Sequence, residues 1–309
     1  MSAGGSNNQN VGSVTLIDST FTNVPVAVLT AWTTTSNPAT AGSLVLENIA
    51  LNNVPVAVKG PSGTMLAGGT TTIAAWGTGH KYTPSGPNQF AGAITANARP
   101  AALLTNGRYY TRSKPQYENL PASSFISARS SGARGNAGND DTAALQAAID
   151  ASVAQNKILF IDYGLYRVTR TLRIPPGARI VGESYPVILA AGGFFSDMNN
   201  PQPVVQVGQT SGQIGRVELS DFIVSTQNSQ PGAILFQWNL ASGTDGSAPS
   251  GMWDVHARIG GFTGTQQQVG QCVKTPGSTV VKPGCVVAFM SMHVTKKASG
   301  LYMENVWFW

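Results

Sequence analysis

Short runs of alternating apolar and polar residues cover most of this chain, and each closes on Asn, Pro, Gly or Ser. A period of two marks half-buried strands, and the closing residues are those that turn a backbone sharply. One run returns. Gly12–Val28 reappears thirty residues later as Gly42–Val58, with nine of seventeen positions identical and both copies ending Asn-Val-Pro-Val-Ala-Val. A repeat of this length, built from strand-like runs, is the mark of a solenoid. A solenoid coil cannot bury its apolar face alone. The chain enters such a coil at Val11 and leaves another at Trp307–Trp309, so further polypeptide is expected to cover both extremities.

The pattern divides the chain into three. Residues 1–77 carry the repeat and read as the C-terminal part of a first β-helix. From 78 to 122 the periodicity fails, with prolines at 84, 87, 100, 115 and 121. This stretch reads as an extended linker, ordered by docking onto a surface. Residues 123–309 read as the N-terminal part of a second β-helix. In it Leu145, Ala148, Ile149, Ser152 and Val153 mark one face of a capping helix over 142–154, with Asp140 and Asp141 as cap candidates. Strand-like runs follow at 158–161, 166–174, 180–181, 187–189, 204–207, 217–224, 234–238, 252–259, 286–294 and 301–309.

A smaller motif ties the two halves together. An apolar residue stands two positions before Asp or Asn at Leu16/Asp18, Leu46/Asn48, Leu219/Asp221, Met252/Asp254 and Met303/Asn305. Asp and Asn tolerate the left-handed backbone of a tight corner. The fold class expected is therefore all-β: two tandem right-handed parallel β-helices, both partial, joined by an extended linker. A β-sandwich or propeller fits the thirty-residue repeat and the helix less well.

Composition narrows function mainly by exclusion. Only 11% of residues are charged, against 42% hydrophobic, which suits a turn-rich β protein and argues against disorder. The net charge of +5 is scattered, and no basic stripe suggests nucleic acid. No apolar run is long enough to span a bilayer, and the polar N-terminus holds no signal peptide. Three histidines at unrelated spacings point to no metal site and no cofactor. The Gly132–Thr142 loop matches neither a dinucleotide fingerprint nor a Walker loop, and reads as a capping turn. Cys272 and Cys285 flank a Gly/Pro-rich loop; a disulfide and two free thiols are both open on spacing alone.

Carboxylates remain, fourteen in all. A glycosidase needs two on opposite faces of one sugar ring, and sequence cannot pair them. Asp140 and Asp141 read as caps, Asp18, Asp221 and Asp254 as corners, and Glu304 as facing either way. Trp307 and Trp309 offer either a coil-stacking ladder or a surface for the apolar face of a sugar.

The second unit opens Phe125-Ile-Ser-Ala-Arg-Ser-Ser-Gly-Ala-Arg-Gly-Asn-Ala-Gly-Asn-Asp-Asp-Thr142. This resembles the entry to the pectate-lyase-like β-helix superfamily, with Asn136-Ala137 in place of the usual Asp-Gly. Further motifs run across nearly the whole chain: Leu66-Ala-Gly-Gly-Thr-Thr-Thr-Ile-Ala-Ala-Trp-Gly77, Arg112-Ser-Lys-Pro-Gln-Tyr-Glu118, Arg179-Ile-Val-Gly-Glu-Ser-Tyr-Pro-Val-Ile188, Gly251-Met-Trp-Asp-Val-His-Ala-Arg258 and Tyr302-Met-Glu-Asn-Val-Trp-Phe-Trp309. In this order they resemble glycoside hydrolase family 55, the exo-β-1,3-glucanases. The resemblance implies two tandem β-helices and a secreted enzyme that inverts the anomeric centre without a metal. It also implies a monomer acting on β-1,3-glucan polysaccharide. It places the water-holding residues before Gly12 and the general acid beyond Trp309, so no catalytic residue carries over and this chain alone is expected to be inactive. One substrate-binding residue does carry over: Trp309, the second aromatic of Glu-Asn-Val-Trp-x-Trp. The reading from another class is a non-catalytic β-helix that binds glycans or builds a surface structure. A pectin lyase or polygalacturonase fits less well, for want of an Asp cluster or Gly-His-Gly.

Overall fold

The computed structural model describes residues 2–3, 13–36, 42–243, 248–261 and 265–309. The chain forms two compact units, Met1–Thr111 and Arg112–Trp309. It is all-β apart from one α-helix and four short 3-10 turns among the described residues.

In the first unit the thirty-residue repeat becomes a thirty-residue strand register. Val14–Ile17, Thr20–Thr22 and Val26–Thr30 all run parallel to the long bent strand Leu44–Gly60, with Val14 beside Leu44, Thr20 beside Ala50 and Val26 beside Val56. Like residues therefore stack. The side-chain amide of Asn48 donates to Asp18, and that of Asn53 donates to Asn23 at 2.9 Å. All four residues adopt positive φ, the corner conformation expected of them. Leu44, Leu46, Ile49, Leu51, Val54 and Val58 fill the core beneath, with Trp76 packed on them.

The coil does not continue. Gly63–Thr83 folds back antiparallel along Leu44–Gly60, and Gly86–Ala93 returns antiparallel to it. Gly68 makes the close crossing possible, since a Cβ there would meet the Val54 carbonyl oxygen at 1.9 Å. Residues 78–93 are thus sheet, where the sequence reads as linker. The prolines that break the periodicity sit where a strand tolerates them, Pro84 in the turn and Pro87 in the edge strand. Beyond Ala93 the chain does dock by side chains. Arg99 Nη2 bonds both Asp18 oxygens at 2.6 Å, the Tyr109 amide donates to Asp18 at 2.7 Å, and the Arg99 guanidinium lies 4.4 Å from the Tyr109 ring centroid. Burial alone would raise the Asp18 carboxyl. The bonds from Arg99, Asn48 and Tyr109 outweigh it and hold the group below its ordinary value.

The second unit is a parallel β-helix with three sheets. The first stacks Phe125–Ser127, Ile158–Ile161, Arg179–Gly182, Glu218–Ser220, Ser250–Trp253 and Leu301–Glu304; the second stacks Asn136–Asp140, Leu165–Val168, Val187–Ala190, Ile223–Thr226, His256–Arg258 and Trp307–Phe308. The third holds Leu172–Ile174, Gln202–Val207, Ala233–Trp238 and Met290–Val294, and every pairing in the three sheets is parallel. The long runs expected at 217–224, 252–259 and 301–309 are each two strands divided at Asp221, Asp254 and Asn305, whose φ angles are 63°, 53° and 52°. One continuous core fills the coil, with Tyr166, Phe195, Phe222, Phe236 and Trp238 among its fully buried side chains.

Helix α1 (Thr142–Ala154) packs Leu145, Ala148, Ile149 and Ser152 inward, as its spacing predicts. Its cap differs from expectation in one respect. Asp140 accepts the Thr142 amide at 3.1 Å, but Asp141 points back into the preceding loop and accepts the Arg134 and Gly135 amides at 2.7 and 3.0 Å. These loop amides are therefore satisfied by a carboxylate of the chain itself, which supports the capping-turn reading of Gly132–Thr142. Cys272 and Cys285 are joined by a disulfide within the excursion between Arg258 and Met290.

Candidate carbohydrate-binding face

The outer face of the second sheet becomes aromatic along its last coils. His256 is paired with Trp307, and Ala257 with Phe308. Alternation then fixes which side each residue takes. Ala257 is fully buried in the core, so His256, Arg258, Trp307 and Trp309 point outward. The Trp309 amide donates to the Ala257 carbonyl at 3.0 Å, and its own carbonyl accepts from Ile259 at 2.7 Å, so the residue stays in register with the coil.

Tyr185 joins them from two coils back, just before the strand Val187–Ala190. It follows the strand Arg179–Gly182 at a corner where both Ser184 and Tyr185 have positive φ, 52° and 60°. Two successive non-glycine residues in that region are costly and persist only where the surroundings impose them. Here they place the phenol ring flat on the His256 ring, centroids 5.4 Å apart at 27°. His256 meets Trp309 edge-on at 5.7 Å, and the two indoles meet each other at 5.7 Å and 81°. Trp307 is 64% exposed, Trp309 47% and Tyr185 40%. The Arg258 guanidinium lies 5.8 Å from the Trp309 ring and donates to the Gly261 carbonyl at 3.1 Å. Exposed rings set at angles to one another suit a pyranose, whose C–H faces stack on aromatics while its hydroxyls seek donors and acceptors.

The corner beside this face carries charge. Lys114 Nζ bonds Asp221 and, at 2.9 Å, Asp254. Burial alone would lower the ammonium; the two carboxylates together hold it above its ordinary value. The same carboxylates, after burial, raise the Tyr185 phenol. A second anchor lies on the same strap. Arg112 pairs with Glu218, its guanidinium lies 4.9 Å from the Trp253 ring centroid, and the Tyr117 hydroxyl donates to Glu218 at 2.6 Å. Burial first, and Glu218 next, push the Tyr117 phenol well up.

Of the residues singled out by sequence, Trp307 and Trp309 stand on this face, and Cys272 and Cys285 lie in the disulfide-closed excursion after Arg258. The sequence alone does not mark Tyr185, His256, Arg258 or Lys114 as site residues. His256 gave no sign, because its partners lie in other coils. Lys114 sat in a stretch without periodicity. The Glu-Ser-Tyr-Pro corner was the one legible hint of Tyr185. Among the described residues no group of three or more His, Cys, Asp or Glu is placed to hold a metal ion. No helix among them is long and apolar enough to cross a membrane.

A three-sheet parallel coil entered through a short helix, with exposed aromatics along one outer face, is a pectate-lyase-like β-helix. Residues 125–247 match the family described as rhamnogalacturonase A/epimerase, pectate lyase-like. Within that class the chain is similar over its whole length to glucan glucosidases, in keeping with the resemblance to glycoside hydrolase family 55. It is 50% identical to a glucan 1,3-beta-glucosidase of Cochliobolus carbonum over 100% of its own length and 39% of that protein's. It is 49% identical to a probable glucan endo-1,3-beta-glucosidase of Arthroderma benhamiae, over 70% of this chain and 24% of that one. A non-secreted LysM effector of Penicillium expansum, LysM19, is 34% identical over 99% of this chain and 24% of its own. The chain thus spans two fifths or less of the length of these relatives.

Proposed function

We propose that this chain serves the hydrolysis of β-1,3-glucan, and that its aromatic face holds the polysaccharide. The observation that carries the reading is the coincidence of two facts. The chain is 50% identical throughout to a glucan 1,3-beta-glucosidase. Tyr185, Trp307 and Trp309 are exposed together around His256, and Trp309 is the one residue assigned to sugar by resemblance. The whole protein is then an exo-acting, inverting enzyme, built from two tandem right-handed β-helices. The paired turns of the first unit supply the edge of one, and the second unit supplies the other. Hydrolysis follows the two-carboxyl logic, an acid on the glycosidic oxygen and a base-activated water opposite. A disulfide in an exposed excursion supports secretion. The Penicillium relative's name points the other way, so secretion is to be tested directly by fractionating the native source.

One observation favours a second reading, a β-helix that binds glycan without cleaving it. The carboxylates next to the aromatic face, Asp221 and Asp254, share the single ammonium of Lys114. They are engaged in structure and are not free as a general acid and base.

Affinity electrophoresis in laminarin tests binding. The chain should be retarded by laminarin and far less by a β-1,4-glucan. Trp309→Ala should weaken retention by about tenfold, the usual scale for removing an aromatic anchor. Absence of retardation would overturn both readings. Glucose release from laminarin by the full-length protein separates them: release with this chain alone inactive favours the hydrolase reading, and retention without release by the full-length protein favours the binding reading.

A further inference from the structure

We infer that His256 determines sugar specificity on this face, donating a hydrogen bond from Nε2 to a glucosyl hydroxyl. The inference rests on the glucan-binding reading above and adds to it a residue and a polar contact.

The Trp307 amide donates to His256 Nδ1 at 3.2 Å. A ring nitrogen that accepts a hydrogen bond carries no proton, so the neutral imidazole holds its single proton on Nε2. The main chain of the neighbouring coil thus sets the tautomer. The ring is also fixed in orientation, lying flat on Tyr185 and edge-on to Trp307 and Trp309. It points outward between them and is half-buried. Among the described residues no acceptor takes the Nε2 proton. A rigid donor without a partner, walled by three aromatic rings, is what a hydroxyl-bearing apolar ring requires.

The surroundings keep the ring neutral. Burial pulls its protonation below the ordinary value of 6.5. Asp254 and Asp221 oppose this, but Lys114 takes up their charge. The other ionisable groups near the ring are the Tyr185 phenol and Arg258, two residues along the same strand. Protonation at Nδ1 would set two donors, the imidazolium and the Trp307 amide, against each other. Acid should therefore disturb both the ring and the strand carrying the two indoles.

The test uses the full chain, laminaritriose and nitrogen-15 histidine spectra. At neutral pH the spectra should show an unprotonated Nδ1 and a protonated Nε2. His256→Phe, which keeps a ring but no donor, should weaken laminaritriose binding about three- to tenfold, the scale of one neutral hydrogen bond. His256→Gln, which can both accept from Trp307 and donate outward, should restore most of it. Wild-type affinity should fall as His256 titrates, and His256→Phe should lose that dependence. Undiminished binding by His256→Phe, or a proton on Nδ1, would overturn the role of His256 and leave the glucan reading standing. Failure of the wild type to bind laminaritriose would overturn both. Should His256→Phe fail to fold, the tautomer and the pH dependence of wild type and His256→Gln decide.

Discussion

In the first unit every strand of the upper turn meets its partner thirty residues on, while in the second unit the step changes from coil to coil. Leu219 pairs with Met252 and Met252 with Met303, steps of 33 and 51 residues along one sheet. The two units stack apolar residues inward and turn at Asp or Asn alike. They differ in what their corners carry. The first unit's turns over Val14–Thr30 and Leu44–Gly60 keep one thirty-residue step, so like residues stack there and the repeat is visible in the letters. The second unit spends its connections unequally: on α1, on the Glu183–Pro186 corner that presents Tyr185, and on the disulfide-closed excursion after Arg258. Irregular spacing therefore marks where a solenoid has been adapted, and the aromatic face lies among those irregularities.

Truncating each core sharpens the comparison most. Phe236→Ala removes a fully buried ring from the irregular unit and should cost about 3–5 kcal/mol. Leu46→Ala in the regular unit should cost about 2–5 kcal/mol. Chemical denaturation of each variant checks both, and a loss under 1 kcal/mol at either site would contradict the packing described.

The disulfide comes next. Its sequence separation is 13 residues, and closing a loop of that size is worth at most about 3 kcal/mol. The loop is largely exposed, so Cys272→Ser with Cys285→Ser should act locally, with faster proteolysis between 272 and 285 and a smaller global loss. Equal protease resistance with and without the bond would break this view of the excursion.

Charge at the corners is worth less. Lys114→Ala leaves Asp221 and Asp254 facing each other, both partly solvated, and should cost about 1–2 kcal/mol. Lys114→Arg should recover part of it. In the first unit Asn48→Ala removes one rung of the polar ladder and should cost about 1 kcal/mol.

The pH dependence is the gentlest probe. Asp18 and Asp140 are both held below the ordinary value of 3.8, Asp140 because Thr142, Thr169 and Arg167 outweigh its burial. Their stabilisation is complete above that value and is lost as pH falls through their lower folded values. Lys114 is held above 10.5, so its contribution is complete below that value and lost as pH rises through its higher folded value. Thermal unfolding should therefore fall off in acid below about 4 and in base above about 10.5. Asp18→Asn should flatten the acid arm in the first unit only.

The sequence made the corners legible because Asp and Asn announce a left-handed turn through their own chemistry. All five that pair with an upstream apolar residue adopt it. It made α1 legible through spacing. It hid the antiparallel return over residues 78–93, because Gly and Thr alternate weakly and Pro84 and Pro87 look like breaks when they are a turn and an edge. Half of the aromatic face was hidden for another reason. Tyr185 and His256 are far from each other and from Trp307 along the chain, and only stacking of unequal coils brings them together. Trp307 and Trp309 are legible as candidate aromatics at the end of the chain, but only the resemblance of its motif assigns Trp309 to sugar.

The most direct test of the account is a crystal structure of the chain grown with laminaritriose. We expect a glucosyl ring with its C–H face against Trp309, near Trp307 and Tyr185, and a hydroxyl within hydrogen-bond distance of His256 Nε2. Laminaritriose ordered elsewhere on the chain, with this aromatic face empty, would contradict it.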